Sequence, residues 1–493
     1  MTQNILTYII FLPLFVAVIL GISRASIRVL KVGSTLSSLI TLVLVIWMTF
    51  HFDPAAEGMQ FVKNVPWIQN VGIHYFVGVD YLSLMMLALI TLLMPILYLY
   101  MRHEERKGYW YNMMLLQAGV TGAVLSLDLV LFYFFWEMML LPIFILIGKY
   151  GNGMHQYNSM KIILMTILGS MSMLFSIIYL GYMHLASTGN WSFSLYDLSS
   201  IAFNAKTSIV LAAGFLLAFA IKIPLVGFHT WMAPAYGSAP TPGVVILSAI
   251  MAKLGIYGIW RFGFGLFENT LMYYAPTIIV LALIGLLYYA IRAITEDNLR
   301  RMFAYSSGSH LSLIALGLFL ANEYAWAGSY YFIATHALAS AGIFLMIGLT
   351  YKRFKTVSIS KLGGIAKKAP IFTFFFAFFA LCIAGLPGTG GFVAELLIIV
   401  GAFKANFWVG VFTATTMLSA MVYIFWMLQR TLFGSANNDT EFSDLKLREI
   451  LLLLPLVILL ILTGVAPSLF TPIFEPQLSA ALHQALLAMG AIL

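Results

Sequence analysis

Charged residues are scarce in this chain, at 9% of its 493 residues, whereas hydrophobic residues make up 62%. So small a polar fraction cannot cover the surface of a water-soluble particle. The composition therefore excludes an ordinary soluble domain and indicates a protein that lies within a lipid bilayer.

Cysteine is almost absent, because Cys382 is the only one. A single thiol excludes disulfides, a four-thiolate iron–sulfur cluster and a covalent haem attachment pair within the chain. The only glycine-rich run, residues 388–391, follows no strand and does not indicate a nucleotide loop. We therefore expect no cofactor and no metal on this chain, so that any redox chemistry of a larger assembly belongs to other chains.

Long apolar stretches are abundant. About fourteen of them reach the roughly 20 residues that a helix needs to cross a hydrocarbon core, which predicts an all-α, polytopic membrane protein. The predicted spans are 4–22, 29–51, 81–101, 110–127, 129–150, 161–184, 207–223, 241–262, 271–291, 299–320, 327–351, 370–403, 406–430 and 447–470. The stretch 370–403 is long enough to predict an interrupted helix.

Basic residues are distributed unevenly over the loops between these spans. Of the 26 Lys and Arg residues, two lie inside spans. The loops of one side hold only Lys63, Lys206, Arg261 and Lys404. All the other Lys and Arg residues lie in the loops of the opposite side. Because cytoplasmic loops carry the excess of Lys and Arg, this bias predicts a cell inner membrane protein with both termini on the outer side. The net charge of +8 then reflects the inner loops and gives no reason to expect nucleic-acid binding.

Four charged residues lie inside spans, where no loop accounts for them: Glu137, Lys222, Lys253 and Glu395. A charge at the bilayer centre costs about 3 kcal/mol on insertion scales, so each should face protein or water and serve a function. The alternatives are a carboxylate that only fixes helix packing and a lysine that snorkels to the membrane surface.

Proline predicts a helix break beside two of these charges. Pro224 follows Lys222, and Pro387 lies in GLPGTGGF before Glu395. Interrupted helices at membrane depth persist where they are buried in protein or line a cavity. If Glu137 approaches Lys222 to about 4 Å, their attraction is on the order of 4 kcal/mol at an effective dielectric near 20. Separating the two would then favour release of the Lys222 proton toward Lys253.

Histidines complete the set of candidate relay residues. His310 and His336 lie well inside spans, between the two predicted breaks, and His229 follows the first break. Imidazole accepts a proton on one nitrogen and releases one from the other, so these residues could connect Lys253 with Glu395. A buried histidine that only packs in the core is the alternative.

The two breaks also predict an internal repeat. Each falls in the fourth member of a set of five spans, and two copies of a five-helix unit must enter the membrane from opposite sides. The predicted domains are N-terminal helices over 1–109, a first repeat over 110–262, a second, inverted repeat over 263–430, and a C-terminal helix and tail over 431–493.

Four strings carry a family resemblance that covers nearly the whole chain: SLDLVLFYFFWEMMLLPIF, FHTWMAPAYGSAPTPGVVILSAIMAKLGIYG, DNLRRMFAYSSGSH and LPGTGGFVAEL. They resemble the chain M family of antiporter-like subunits in proton-translocating NADH–quinone oxidoreductase, respiratory complex I. The resemblance implies a fold of fourteen helices. It implies Glu137 at the start of a proton channel, Lys222 on the broken helix, Lys253 at the centre and Glu395 at the exit.

The resemblance further implies partner subunits, and it implies that the substrates of the redox reaction bind to other subunits. The partners would be other membrane-arm subunits, including further antiporter-like chains, with NADH and quinone bound elsewhere in the complex. One loop departs from the family pattern His-Thr-Trp-Leu-Pro-Asp-Ala-His, because it contains Met232, Ala233, Pro234 and Tyr236. The departure removes the second histidine of the pattern.

Two other functions stay open from the sequence. One is a subunit of a multisubunit monovalent cation/proton antiporter or of a related hydrogenase complex, although such antiporter subunits generally carry lysine in place of Glu395. The other is a stand-alone solute transporter or a structural scaffold. A transporter should work without partner chains, and a scaffold should tolerate neutral residues at the buried charged positions.

Overall fold

The computed structural model describes residues 4–56, 58–435, 443–475 and 478–479. Contacts between these residues define two units. The described residues of the first lie within Met1–Lys222 and Leu254–Tyr274, and those of the second within Ile223–Lys253 and Ala275–Leu482. Much of the predicted C-terminal tail lies outside the described residues.

The first unit is mainly helical, and the apolar stretches of the sequence form its longer helices. Its helices are α1 (Ile5–Ile22), α2 (Ile27–Phe50), α3 (Tyr81–Tyr100), α4 (Lys107–Leu125), α5 (Leu129–Met138), α6 (Leu140–Tyr150), α7 (His155–Thr188), α8 (Leu195–Ser199) and α9 (Ala205–Lys222).

A β-hairpin, which the sequence analysis leaves unassigned, connects α2 with α3. Its antiparallel strands are β1 (Gln60–Ile68) and β2 (Ile73–Val79), joined through Gly72, whose φ of 64° suits glycine. The hairpin is tied to the helices by Asp128, because the backbone N–H of His74 donates to its Oδ2 at 3.0 Å. The Oδ1 atom of Asp128 caps α5, accepting from the N–H groups of Val130 and Leu131.

The second unit contains the remaining helices, and α12 and α13 include residues of both units. They are α10 (Met232–Ser238), α11 (Thr241–Ile246), α12 (Ala252–Gly258), α13 (Gly265–Thr295), α14 (Leu299–Phe319), α15 (Glu323–Phe354), α16 (Ile365–Lys368), α17 (Pro370–Ile383), α18 (Gly390–Ala405), α19 (Phe407–Leu428) and α20 (Leu447–Val465). Helices α14, α15 and α19 have asparagine N-caps. The side chains of Asn298, Asn322 and Asn406 accept hydrogen bonds from backbone N–H groups of the first turns.

Two π-helical segments flank α12. They are Leu247–Met251 and Ile259–Phe264, and a third, Gln429–Phe433, follows α19. A π turn closes i→i+5 hydrogen bonds, occurs mostly as a single turn within an α-helix and is frequent at functional sites. These segments are not predicted from the sequence.

The predicted spans coincide with helices, and the all-α polytopic fold class is confirmed. In the described part of the chain, eleven helical segments are long and apolar enough to cross a membrane. One of them, Thr241–Thr295, joins the predicted spans 241–262 and 271–291, with non-helical torsions at Phe267. The total of fourteen spans and the repeat boundaries stay predictions.

Both predicted helix breaks are confirmed. Helix α9 ends at Lys222 and α10 begins only at Met232, while α17 ends at Ile383 and α18 begins at Gly390. In the second break, Gly385 and Gly388 have φ of 78° and 85°, which glycine adopts without steric cost.

Candidate functional site

Glu137 lies at a kink between two helices of the first unit. Helix α5 ends at Met138 and α6 begins at Leu140, with Pro142 in the first turn of α6. Because proline has no N–H, it cannot donate to the carbonyl of Met138, and a polar backbone group is freed beside the carboxylate. The side chain of Glu137 is half-buried.

Lys222 is the last residue of α9, and only 2% of it is exposed. Its Nζ atom lies 4.8 Å from the ring centroid of Trp136, which is adjacent to Glu137 in sequence. The face of an indole ring attracts a cation, and the C-terminal end of a helix carries a partial negative charge. Both features stabilise a lysine ammonium at this place.

Glu137 and Lys222 interact electrostatically but do not touch. Among the described residues, Nζ of Lys222 has no direct hydrogen-bond partner, and neither does Oε1 of Glu137. The two side chains therefore form no direct hydrogen bond in this conformation. A longer separation weakens the attraction between the two charges.

Lys253 lies in the second unit at the beginning of α12 and is completely buried. Its Nζ atom donates to the carbonyl oxygen of Ser248 at 2.6 Å and lies 2.8 Å from Nδ1 of His336. Ser248 belongs to the π segment Leu247–Met251, so the irregular backbone supplies one of the two partners of the lysine. A charged lysine has only donors, and its bond to Nδ1 requires that this nitrogen carry no proton.

His336 and His310 lie next to each other in the same cluster. Their ring centroids are 5.2 Å apart, and Nε2 of His310 lies 3.6 Å from Oε1 of Glu395. The distance from His310 to Glu395 exceeds that of a hydrogen bond, so a small movement of either side chain would make or break this contact. The described part of the chain offers no direct hydrogen-bond partner to either nitrogen of His310 or either carboxylate oxygen of Glu395. Such atoms are rare in protein interiors, so each requires an explanation.

The second helix break lies directly beside Glu395. A Cβ atom on Gly385 would be 3.1 Å from Oε2 of Glu395, so a larger residue in the break would crowd the carboxylate. Tyr423 also interacts electrostatically with Glu395, and its hydroxyl lies 2.8 Å from Oγ of Ser306. The Glu395 end of the cluster therefore lies beside the second helix break and near the Tyr423 hydroxyl.

His229 has different surroundings. It is half-buried in the segment between α9 and α10, where Nε2 lies 3.2 Å from the Tyr288 hydroxyl and the ring packs edge-to-face on Tyr288 and Tyr289. The hydroxyl of Tyr289 in turn donates to the carbonyl of Pro224 at the first break. These contacts connect the non-helical segment between α9 and α10 with α13.

A buried ion pair in the first unit was not predicted. Arg261, which the sequence analysis placed in an outer loop, donates from Nη2 to Oδ1 of Asp80 at 2.5 Å, and each side chain is only 10% exposed. Burial alone would raise the pKa of Asp80, but the charge and hydrogen bond of Arg261, together with Ser83, hold that pKa below its usual value. Nε of Arg261 donates to the Tyr257 hydroxyl, which joins the pair to the helix that begins near Lys253.

Among the residues that the structure describes, no group of three or more His, Cys, Asp or Glu side chains is placed to hold a metal ion. What the structure brings together is a buried series of titratable groups: Lys253, His336, His310 and Glu395.

Interrupted helices that carry buried lysine and glutamate residues define a polytopic membrane protein of the transporter class. A family model described as NADH:quinone oxidoreductase/Mrp antiporter, TM, matches residues 126–422, and the chain belongs to this family.

Related proteins match along almost their whole length. NADH-quinone oxidoreductase subunit M of Rhodobacter capsulatus is 33% identical over 494 residues, covering 97% of this chain and 96% of the relative. NADH-ubiquinone oxidoreductase chain 4 of Marchantia polymorpha is 34% identical over 481 residues, covering 96% of each.

Two solved structures share the fold. A chain of respiratory complex I from Thermus thermophilus with bound NADH superimposes with a TM-score of 0.87 at 24% identity, covering 98% of this chain and 99% of that one. A chain of the Mrp complex from a Dietzia species superimposes with a TM-score of 0.85 at 21% identity, with the same coverage. The fold is thus common to redox-linked and antiporter complexes.

Proposed function

We propose that this chain is a proton-translocating membrane-arm subunit of an NADH-quinone oxidoreductase. Near-complete coverage by relatives with that name supports this function over the antiporter alternative. Electron transfer from NADH to quinone, with its cofactors, takes place on other subunits. The chain contributes a protonic path, with Glu137, Lys222, Lys253 and Glu395 as its titrating groups.

One observation carries the proposal, namely the contact series from Lys253 through His336 and His310 to Glu395. The ammonium of Lys253 gives a proton to Nδ1 of His336, which releases a different proton from Nε2. His310 receives that proton and passes one on to Glu395. At each step one N–H or O–H bond forms as another breaks, and imidazole suits this exchange because it has two nitrogens.

The direct test measures proton uptake by proteoliposomes that contain the assembled complex. Lys253→Met and Glu395→Ala should each lower proton uptake coupled to NADH oxidation by about 10²-fold, with assembled protein measured in parallel. If both variants pump like the parent complex, the protonic path does not run through this cluster. Sodium-dependent transport by the assembly without quinone reduction would instead favour the antiporter function.

We also propose an inner-membrane orientation with both termini outside. The support is the excess of basic residues in the loops of one side. Cysteines introduced singly at Lys63 and Lys361, in a Cys382→Ala background, should react with an impermeant thiol reagent added from outside at Lys63 only. The reverse pattern would invert the orientation, and with it the direction assigned to the path.

A further inference from the structure

The ammonium of Lys222 contacts an aromatic ring in place of a hydrogen-bond acceptor. Its Nζ atom lies 4.8 Å from the ring centroid of Trp136, and within the part of the chain that the structure describes this atom has no direct hydrogen-bond partner. Both residues are buried, Lys222 at 2% and Trp136 at 1% exposure. An ammonium has three donors and is costly to bury without compensation. The indole face therefore occupies the place where an oxygen acceptor would be expected.

Two helices fix the orientation of this indole ring. Trp136 packs on Phe132, one turn earlier on α5, with ring centroids 5.4 Å apart. It also packs edge-to-face on Phe219, which lies one turn before Lys222 on α9, at 5.8 Å. Phe219 has little room to move, because a Cβ atom on Gly258 would lie 2.3 Å from its ring. In so close-packed an environment the ring face presented to Nζ is set by the packing of α5 and α9.

The ring contact depends on the charge of the lysine. The face of an indole attracts a cation through the ring quadrupole, and a neutral amine lacks this attraction. For a desolvated ammonium, the attraction corresponds to about tenfold or more in an equilibrium constant. A side chain that only filled space would hold both forms of the lysine equally. The contact with Trp136 therefore makes the position of Lys222 sensitive to its protonation state.

We propose that Trp136 is a positioning residue that holds Lys222 on its indole face while the lysine is protonated and frees the side chain once the proton has left. The inference rests on the proposed function, because it requires that Lys222 lose and regain a proton during turnover. Glu137, the next residue of the chain, also interacts electrostatically with Lys222. The neutral amine, no longer attracted by the ring, can move, which disfavours return of the proton toward Glu137. No bond forms or breaks at the ring.

Fluorinated tryptophan tests the ring face with little change in the shape of the side chain. Fluorine withdraws electron density from the ring and weakens its attraction for a cation. The parent complex and the Trp136→Phe complex are each produced with tryptophan or with 5-fluorotryptophan. Because the chain has ten tryptophans, the analogue also enters other positions and other subunits, but the Trp136→Phe complex shares all of these.

Fluorination should lower proton uptake per assembled complex about twofold more in the parent than in Trp136→Phe. NADH oxidation is measured in the same proteoliposomes, so that damage to electron transfer is separated from loss of pumping. Equal effects of fluorination in the two complexes would overturn the inference. Should Trp136→Phe not assemble, Trp136→Tyr takes its place, because the analogue cannot enter that position either.

Substitutions give a second measure of the same contact. Trp136→Phe keeps a ring with a weaker face and should slow pumping about threefold, whereas Trp136→Leu has no ring face and should slow it about tenfold. A merely structural role predicts less assembled complex with normal pumping per complex in both variants. That result would also overturn the inference.

Trp110→Phe is the matched control. Trp110 is as deeply buried in the first unit, but its ring stacks on Tyr98 with centroids 5.9 Å apart, and its indole N–H donates to the carbonyl of Glu104. This variant should pump normally per assembled complex and should keep the full sensitivity to fluorination. Loss of that sensitivity in Trp110→Phe would assign the effect to another ring and contradict the role of Trp136.

The lysine variant of the central cluster separates the two possible failures. If Lys253→Met pumps poorly while fluorination acts equally on the parent and on Trp136→Phe, the inference is overturned and the proposed function stands. If Lys253→Met pumps like the parent complex, the proposed function itself fails.

Discussion

Lys253 and His336 are hydrogen-bonded to each other, Nζ to Nδ1 at 2.8 Å, although both are almost completely buried. A single proton occupies the line between these two nitrogens, so the ammonium of Lys253 and a proton on Nδ1 exclude each other at this distance. The protonation states of the two residues are therefore coupled. A change at either residue should alter proton transfer at both.

Replacement of Lys253 by Arg should be nearly as damaging to pumping as replacement by Met. Arginine keeps the positive charge but is effectively never deprotonated, whereas a relay must release its proton. We expect both variants to lower the pumping rate by about 10²-fold or more, the range typical of positioned proton-transfer groups. The measurement is proton uptake by proteoliposomes, normalised to assembled complex and run beside NADH oxidation. Normal pumping by Lys253→Arg would make Lys253 a fixed countercharge.

Replacement of Glu137 by Gln should leave assembly largely intact, because side-chain volume and hydrogen bonding are nearly kept. Coupled pumping should fall about tenfold, since the carboxylate no longer attracts the Lys222 charge or binds a proton. Dye quenching in proteoliposomes measures this. Phe134→Leu, on the same helix with an exposed side chain, is a control that should pump normally. Full pumping by Glu137→Gln would remove Glu137 from the path.

At Glu395, Lys should be tolerated better than Ala. Lysine keeps a titratable group beside His310, whereas alanine ends the contact series. We expect Glu395→Lys to retain a measurable fraction of the pumping rate and Glu395→Ala to lose about 10²-fold. Gly385→Ala offers a further check, because its added Cβ would lie 3.1 Å from Oε2 of Glu395 and should reduce pumping without removing a titratable group. Equal loss with Lys and Ala would contradict a relay role.

Asp80→Asn should destabilise the chain, because it leaves the buried guanidinium of Arg261 without a countercharge. Breaking a buried ion pair in this way costs about 3–5 kcal/mol. The pair of Arg106 with Glu104 is the contrast, because Arg106 is 56% and Glu104 18% exposed. Glu104→Gln should cost about 0–1 kcal/mol. Thermal unfolding of the purified complex in detergent compares the two variants, and similar midpoints would contradict the importance of the Asp80 pair.

The pH dependence of the Asp80 effect has a defined sign. The pKa of this carboxyl is lowered from its ordinary value of 3.8, so its stabilisation is fully present above that value and is lost as the pH falls through the folded-state pKa. The difference in unfolding temperature between Asp80→Asn and the parent should therefore stay constant from about pH 5 to pH 8. A difference that disappears within this interval would mean that Asp80 is not ionised in the fold.

The helices could be placed from hydropathy, because apolar runs of membrane length can be read directly from the sequence. The helix breaks could be placed because a proline interrupts a helix close to its own position, here near Lys222 and near Glu395. The members of the buried cluster could also be identified, because an ionisable residue within an apolar run is visible in the sequence whatever its contacts in the fold are. Their order in space was only a hypothesis. The distance between Lys253 and His336 depends on tertiary packing of helices that are far apart in sequence.

Other features had no local signal. The π segments around α12 contain ordinary apolar residues, and nothing in LSAIM distinguishes an i→i+5 turn from an α-helix. The partner of Arg261 could not be found from sequence because Asp80 is 181 positions away. The half-burial of Glu137 also escaped prediction, since hydropathy does not say which face of a helix is covered by the chain itself.

The π segment Leu247–Met251 has a consequence for the tolerance of this gene to small deletions. A π turn holds more residues than an α turn, so loss of one codon within it could restore a regular helix of nearly unchanged length and hydropathy. Because the turn would then close i→i+4 in place of i→i+5, the side chains beyond the deletion would keep their direction relative to α11. Lys253 would still face His336. An in-frame deletion of one apolar residue from this segment should therefore be milder for pumping than the same deletion in an α-helical stretch, where every side chain beyond it would rotate by about 100°.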